Sequence, residues 1–481
     1  MGRETNKTPG AHGGGESPER RPNVLFVITD DQRFDTIAAL GNPDIETPNL
    51  DYLCDRGVAF RNAYITGGTS GAVCMPSRAV YHTGRGPFSI VDAGEVIPPE
   101  HTTIGEQLRA HGYETFGTGK WHSDPDSFLR SFAGGAEIFF GGMDNHWNMP
   151  VCDYPDDGRS FPEPAEHRWN PGTGGRETAM QRYDHLRRGV HSSELFAGAA
   201  IDFLNGWSGE RPFFLYAAFT APHDPRSAPQ EFHARYKPEE LHISGPVLPD
   251  HPFDNGELEI RDEKLVSHPY TPEKAQRERA DYYAMITHFD YWLGRVIDAL
   301  KGADALENTI IIHTADHGLA LGNHGLMGKQ NLYEHSIHVP LLVSGPGVPA
   351  GEERETMVSS PDLFPTVCDL VGVPVPGSVE GRSFAATLAD ANTPHREEVF
   401  AAYKHLHRAI RRGRHKLIEY AVGDERITQL FDLQLDPHET VNLAFDPAYE
   451  RVLVELTEAL AAARKSWNDP EESFDSPGHA R

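Results

Sequence analysis

Asn23-Val24-Leu25-Phe26-Val27-Ile28-Thr29 is a run of strand length with an unbroken apolar centre, and it stops at Asp30-Asp31. A strand apolar on both sides cannot leave one face in water, so it belongs inside a parallel sheet covered above and below. Further candidate strands are Glu114 to Gly117, Phe213 to Phe219, Thr309 to Thr314 and Pro340 to Ser344. Helical spacing lies between them: Thr103 to His111 ends at Gly112, a C-cap signal, and Tyr282, Met285, Ile286, Phe289, Leu293, Val296 and Ile297 mark one apolar helix face. Strand alternating with helix implies an α/β fold, a largely parallel sheet flanked by helices. In such folds ligands gather beyond the carboxyl ends of the strands. The residues there are Asp30 and Asp31 after the first strand, Lys120 and His122 after the second, His223 after the third, and Asp316 and His317 after the fourth. One Asp after a strand is ordinarily a turn former or a helix cap. Charged or imidazole groups at four strand ends point instead to a shared site.

The chain has 481 residues, more than one ordinary core needs. The reading divides it into a tail over residues 1–22 expected to be disordered, a catalytic domain over 23–375, and a smaller C-terminal α+β subdomain over 376–481. That last part should hold a small antiparallel sheet and a terminal helix around Val452 to Ala462, with a frayed end from Asp469. Acidic residues outnumber basic ones by 71 to 44, a formal charge of −27, which argues against nucleic acid or an anionic membrane as partner. The basic run from Lys404 to Lys416 reads as a hairpin, because Gly413 punctuates two strand-like segments. Four cysteines, Cys54, Cys74, Cys152 and Cys368, form no disulfide framework, and residues 1–22 hold no apolar signal segment. A cytoplasmic location is the expectation.

The most specific segment is Cys74-Met75-Pro76-Ser77-Arg78, followed by Thr83-Gly84-Arg85. Three fixed residues alone would recur by chance, and a buried cysteine is ordinarily inert. Companion motifs stand in order around it: Thr29-Asp30-Asp31-Gln32, Gly119-Lys120-Trp121-His122, Ala221-Pro222-His223-Asp224-Pro225, Asp316-His317-Gly318 and Gly328-Lys329. Together they resemble the type I sulfatases, in which the cysteine is oxidised to Cα-formylglycine. The likeness runs from Asn23 past Asn442, where Gln429-Leu430-Phe431-Asp432-Leu433 resembles the family's C-terminal part. Tyr81-His82 departs from the apolar pair the family commonly has before Thr-Gly-Arg.

The resemblance implies the alkaline-phosphatase-like fold and hydrolysis of a sulfate monoester. It implies Asp30, Asp31, Asp316 and His317, with the modified Cys74, as ligands of one divalent cation, calcium first and magnesium as the alternative. Arg78 and Lys120 would hold the modified side chain and sulfate, His122 would assist product release, and His223 and Lys329 would bind sulfate or protonate the leaving oxygen. His146, in Asp144-Asn145-His146-Trp147-Asn148, and His324 are expected to line the substrate pocket. The polar and aromatic residues His146, Trp147, Tyr154, Trp169 and Tyr183 suit a saccharide sulfate, and an aryl sulfate as well. Competing expectations are a phosphate or phosphonate monoester hydrolase on the same fold, and a sulfoglycan-binding protein without catalysis. The resemblance also implies a formylglycine-generating enzyme as partner in maturation. After expression with such an enzyme, mass spectrometry of the Cys74 peptide should show the loss that turns CH2SH into CHO. An intact thiol in fully active protein would refute the assignment.

Overall fold

The computed structural model describes residues 21–169 and 177–475. In chain order the strands are β1 (Asn23–Thr29), β2 (Gly57–Tyr64), β3 (Gly67–Gly68), β4 (Glu114–Lys120), β5 (Gly134–Phe139), β6 (Asn148–Val151), β7 (Ala165–Trp169), β8 (Glu177–Gln181), β9 (His185–Arg188), β10 (Phe213–Ala218), β11 (Thr309–Ala315), β12 (Leu341–Ser344), β13 (Glu352–Ser359), β14 (Glu398–Tyr403), β15 (His407–Arg412), β16 (His415–Val422) and β17 (Glu425–Asp432).

Eight of them form one sheet in the order β13-β2-β12-β11-β1-β10-β4-β5. Its centre from β11 to β5 is parallel, while β12 runs antiparallel to both β11 and β2. β1 lies in the middle, and its side chains divide by the two-residue period of a strand. Val24, Phe26 and Ile28 join one core, and Leu25 and Val27 the other. The second core is closed by the helix Pro272–Gly302, whose residues from Tyr282 to Ile297 pack as the spacing implies. Thr103 caps the helix Ile104–Ala110 in a reciprocal box with Glu106, so the chain turns cleanly into β4. The strands expected from sequence are present, and β2, β5 and β13 are additions that the sequence reading did not anticipate.

A second sheet, β17-β16-β15-β14-β3, carries the helix Glu450–Ser466 on one face. β15 and β16 form the expected hairpin, with Gly413 at φ +56° in its turn. Its basic residues are spoken for: Arg412 pairs with Glu398, Arg414 with Asp432, and the buried Lys416 with Glu334 and Glu439. β3 belongs to the segment leading to Cys74, and it approaches β14 so closely that a Cβ on Gly67 would lie 2.0 Å from Ala402 O. Only glycine permits that contact.

The tail falls, up to Arg20, outside the described residues, but Arg21 donates to His111 O and Pro22 O accepts from the Tyr113 hydroxyl. The frayed end from Asp469 is a correction: the Asp469 side chain is buried between Arg408 and Arg464, and Phe474 packs beneath both guanidiniums. Charge pairing with two buried arginines holds a segment whose composition alone reads as solvated.

Asp362 ties the segment after β13 to the approach to β14. It accepts the Ser359 and Arg382 amides and pairs with Arg396 and His395. Burial opposes its ionisation, but Arg396 and His395 outweigh that and hold the carboxyl down to about 2. A folded-state value below the unfolded one stabilises above about pH 4, and the contribution is lost as pH falls through the folded value. Asp362→Asn should therefore cost about 3 kcal/mol near neutrality. Denaturant midpoints of the two proteins should converge between about pH 4 and pH 2. A constant difference across that range would contradict the assignment.

Candidate active site

Parallel register sets the site. Thr29 is paired with Ala315, Ile28 with Ala218, and Ala218 with Gly119, so the next residues of β1, β11 and β4 emerge side by side. Asp30 N–H is anchored on Ala221 O and Asp316 N–H on Thr29 O. Gly119, at φ +83°, has room for no side chain, since its Cβ would meet Ala218 O at 1.7 Å. Trp121 turns into the core against His82, Phe128 and Phe132, which leaves Lys120 and His122 to face the strand ends.

Cys74 opens the helix Cys74–Thr83, at the end where the helix dipole favours negative charge. Arg78 follows one turn later on the same face. Its Nε donates to Asp316 Oδ2 at 2.8 Å and its Nη1 to Lys120 O at 3.1 Å. Lys120 Nζ donates to Asp30 Oδ2 at 2.5 Å. Thr83 and Gly84 end the helix, the latter at φ +63°, and Arg85 clamps Ser378 O and Glu380. Tyr81 bonds Ala315 O and His82 is buried against Phe26, Trp121 and Tyr216, so the departure at these positions serves packing.

Among the described residues, Asp30 Oδ1, Arg78 Nη2, His122 Nδ1 and His317 Nε2 are buried here without a hydrogen-bond partner of ordinary geometry, the two imidazoles facing the Cys74 thiol. Ligand atoms of Asp30, Cys74, Asp316 and His317 lie within 4.8 Å of one another, and those of Asp30, Asp31 and His223 form an overlapping group. His317 Nδ1 lies 3.0 Å from Gly318 O and so carries the proton of the neutral imidazole, whose lone pair is then on Nε2, 3.9 Å from Asp30 Oδ1. Burial raises the Asp30 carboxyl, but Lys120, His223 and Arg78 reverse this and hold it well below the usual range. Asp316 is instead pushed up to about 6 by burial and by Asp30. For His317, burial lowers the imidazole, yet Asp316, Cys74 and Asp31 lift it to about 9. Carboxylates that oppose each other's ionisation, and an imidazole drawn towards protonation, mark a place where a cation fits. Three carboxylates and one imidazole suit a hard divalent ion.

On the other side Lys329 Nζ lies 2.9 Å from both Asp31 Oδ1 and His223 Nε2. His223 Nδ1 donates to Asp224 O, so Nε2 is the acceptor for that ammonium. The cleft above Cys74 has a volume of about 300 Å³, with His122, His223 and Lys329 at its base and Met143 and Ile260 among its walls. Glu257 pairs with Lys404, and Arg261 with Asp224 and Asp262, around its mouth.

The structure thus brings together Asp30, Asp31, Cys74, Arg78, Lys120, His122, His223, Asp316, His317 and Lys329. His146 and His324 do not line the cleft. His146 Nε2 donates to His223 O, with its Nδ1 on Ser192 Oγ, and so sits behind the strand-end loop. His324 stacks on Tyr333 at 4.0 Å beside Pro246 and His438, in a separate depression. A loop histidine carries no sign in sequence of which side it packs on. Trp169's side chain lies outside the described residues. Tyr216, Glu257, Asp262, Gln330 and Lys404 were not anticipated; Glu257 stands in an irregular segment and Asp262 at the start of the short turn Asp262–Lys264, both without a motif, and Lys404 was read only as part of a basic run.

Fold and site together define a hydrolase of alkaline-phosphatase-like architecture, with its polar centre at the carboxyl ends of the parallel strands. The chain belongs to the sulfatase family, the sulfuric ester hydrolases: the family model described as Sulfatase matches residues 22–373. A second, described as N-sulphoglucosamine sulphohydrolase, C-terminal, matches residues 322–466. An arylsulfatase of Clostridium perfringens is 28% identical over 89% of this chain and 92% of its own. A choline-sulfatase of Rhizobium meliloti is 30% identical over 89% and 83%. The solved structure of BT4656 with its substrate D-glucosamine-2-N,6-O-disulfate superposes with a TM-score of 0.75 at 22% identity, covering 95% of this chain and all of that one. Among the described residues no helix is long and apolar enough to cross a membrane.

Proposed function

We propose that the chain hydrolyses the sulfate monoester of a carbohydrate, with Cys74 carried as formylglycine and Asp30, Asp31, Asp316 and His317 holding one calcium or magnesium ion. The observation that carries this reading is the ring of unpartnered buried atoms on Asp30, Arg78, His122 and His317 around Cys74. Cys74 Sγ stands where the oxygens of a formylglycine hydrate would lie, and burial of the thiol is outweighed by Lys120 and His122, which draw it well below the usual thiol value. Surroundings that stabilise a thiolate favour an oxyanion equally. The bound cation would supply charge withdrawal from a sulfate oxygen, and the hydrate an oxygen nucleophile with a second hydroxyl for product release.

The chain's own groups divide the remaining work. Arg78, Lys120 and Lys329 offset Asp30, Asp31 and Asp316, so a divalent ion leaves the site positive and suited to an anionic ester. Burial holds the His122 imidazole below its ordinary value, with Lys120 adding to the effect against Cys74, so it is neutral near pH 7 and accepts a proton. Burial opposes the charge on Lys329 as well, but Asp31 and Asp262 hold the ammonium well above its usual value. Lys329, whose Nζ lies 2.9 Å from His223 Nε2 at the cleft, is the donor to the leaving oxygen. The ion pairs at the cleft mouth offer donors and acceptors to hydroxyl groups, and the substrate described for BT4656 is a sulfated amino sugar.

Against a panel of sulfated monosaccharides and aryl sulfates, the matured protein should show its highest kcat/KM on a saccharide. A preference for every aryl ester over every sugar would reject the carbohydrate reading. Elemental analysis should find one divalent ion per chain, and Asp316→Ala should lose it together with on the order of 10³-fold in kcat/KM, the several kcal/mol such an ion contributes. Active protein without a divalent ion would rule the ligand set out.

A further inference from the structure

Lys329 stands on no strand or helix, so regular secondary structure does not aim its ammonium. The stretch before it folds back through Ala320 N–H to Gly328 O at 2.9 Å and Gly322 N–H to Leu326 O at 2.8 Å. The amides of Met327, Gly328 and Lys329 point away from that fold, and side chains receive all three. Glu263 Oε2 accepts the Met327 amide at 2.6 Å and Oε1 the Gly328 amide at 2.9 Å, while Gln330 Oε1 accepts the Lys329 amide at 3.0 Å. Asp262 in turn accepts Gln330 Nε2 at 2.8 Å. Glu263 is buried on the short turn Asp262–Lys264, and its backbone carbonyl accepts the Tyr270 hydroxyl at 2.5 Å. A Cβ on Gly328 would lie 2.9 Å from Glu263 Oε1 and 2.6 Å from Gln330 Oε1, so a glycine is what lets both amides reach the carboxylate. Glu263 itself is not part of the cleft wall.

We propose that Glu263 is a positioning residue of the hydrolysis: by gripping the Met327 and Gly328 amides with both carboxylate oxygens, it aims the Lys329 ammonium at the leaving oxygen. The inference rests on the reading of Lys329 given above. Charge-assisted bonds from one carboxylate to two consecutive amides fix a loop more firmly than neutral ones. A glutamine has a single acceptor oxygen and would turn its NH2 group towards an N–H, losing one bond and opposing two donors. A shift of about 1 Å at a proton donor is enough to cost about 10²-fold.

The readout is the dependence of rate on leaving-group basicity, across 4-nitrophenyl sulfate, phenyl sulfate and a glucosamine sulfate. Burial pushes the Glu263 carboxyl up to about 7, so rates are compared well above that pH. Lys329→Ala should spare 4-nitrophenyl sulfate, which leaves without help, relative to the two basic leaving groups. Glu263→Gln should show the same steepened dependence, with about a 10²-fold loss on the basic leaving groups. Its bound metal should match the parent. Gly328→Ala should reproduce the pattern, and it decides the matter if Glu263→Gln does not fold. An unsteepened dependence in Lys329→Ala overturns the reading of Lys329 and this inference with it. A steepened dependence in Lys329→Ala, beside a uniform loss or none in Glu263→Gln and Gly328→Ala, overturns the inference alone.

Discussion

Asp30 and Asp316 are buried side by side at the ends of adjacent parallel strands, out of reach of bulk solvent. Two carboxylates in that position stay ionised only if positive groups are brought to them. Lys120 reaches Asp30 from β4, two strands from β1, and Arg78 reaches Asp316 from the helix that Cys74 opens. The docking of that helix is therefore not a separate packing event. The ion pair with Asp316, and the bond of Ser77 Oγ to Asp316 O at 2.6 Å, set the helix start against the strand ends. Cys74 arrives at the polar centre because Arg78, one turn on, is held there.

The same constraint explains why so much irregular chain is buried around the site. From Asp316 to Ser344 every residue is buried, although most of the stretch up to Glu334 is neither helix nor strand. Buried backbone outside regular structure must find other partners for its amides. Glu263 supplies acceptors for two of them, Gln330 for a third, and Glu439 accepts the Glu334 amide. Acidic side chains thus do for this loop what strand pairing does for the sheet. The second sheet takes part as well, since β3 pairs with β14 just ahead of Lys404, whose ammonium reaches Glu257 at the cleft mouth.

Strands that are apolar on both sides were legible in the sequence. β1, β10 and β11 read clearly because cores on both faces demand it. β13 was not legible: Glu352-Glu353-Arg354-Glu355 runs along a sheet edge, where solvent tolerates charge and the apolar signal disappears. β5 begins with Gly134-Gly135 on the opposite edge and is hidden for a similar reason. Among polar residues, those inside motifs could be named in advance. His146 and His324 could not be placed, because a histidine in a loop looks the same whether it meets substrate, props a neighbouring carbonyl or stacks on a tyrosine.

Local chemistry is what the sequence by itself determined: which segments are buried strands, where each ends, and which charged or imidazole groups follow. Those properties depend on neighbours a few residues away, through the two periodicities of strand and helix. Only the tertiary structure decided which of those groups meet. Arg78 and Asp316 are 238 residues apart, and Lys329 and Asp31 are separated by 298. Such pairs depend on strand order, register and the course of irregular loops. Contacts of that range arise when the whole sheet is assembled, because a buried charge is stable only beside its partner and no local pattern records where that partner lies.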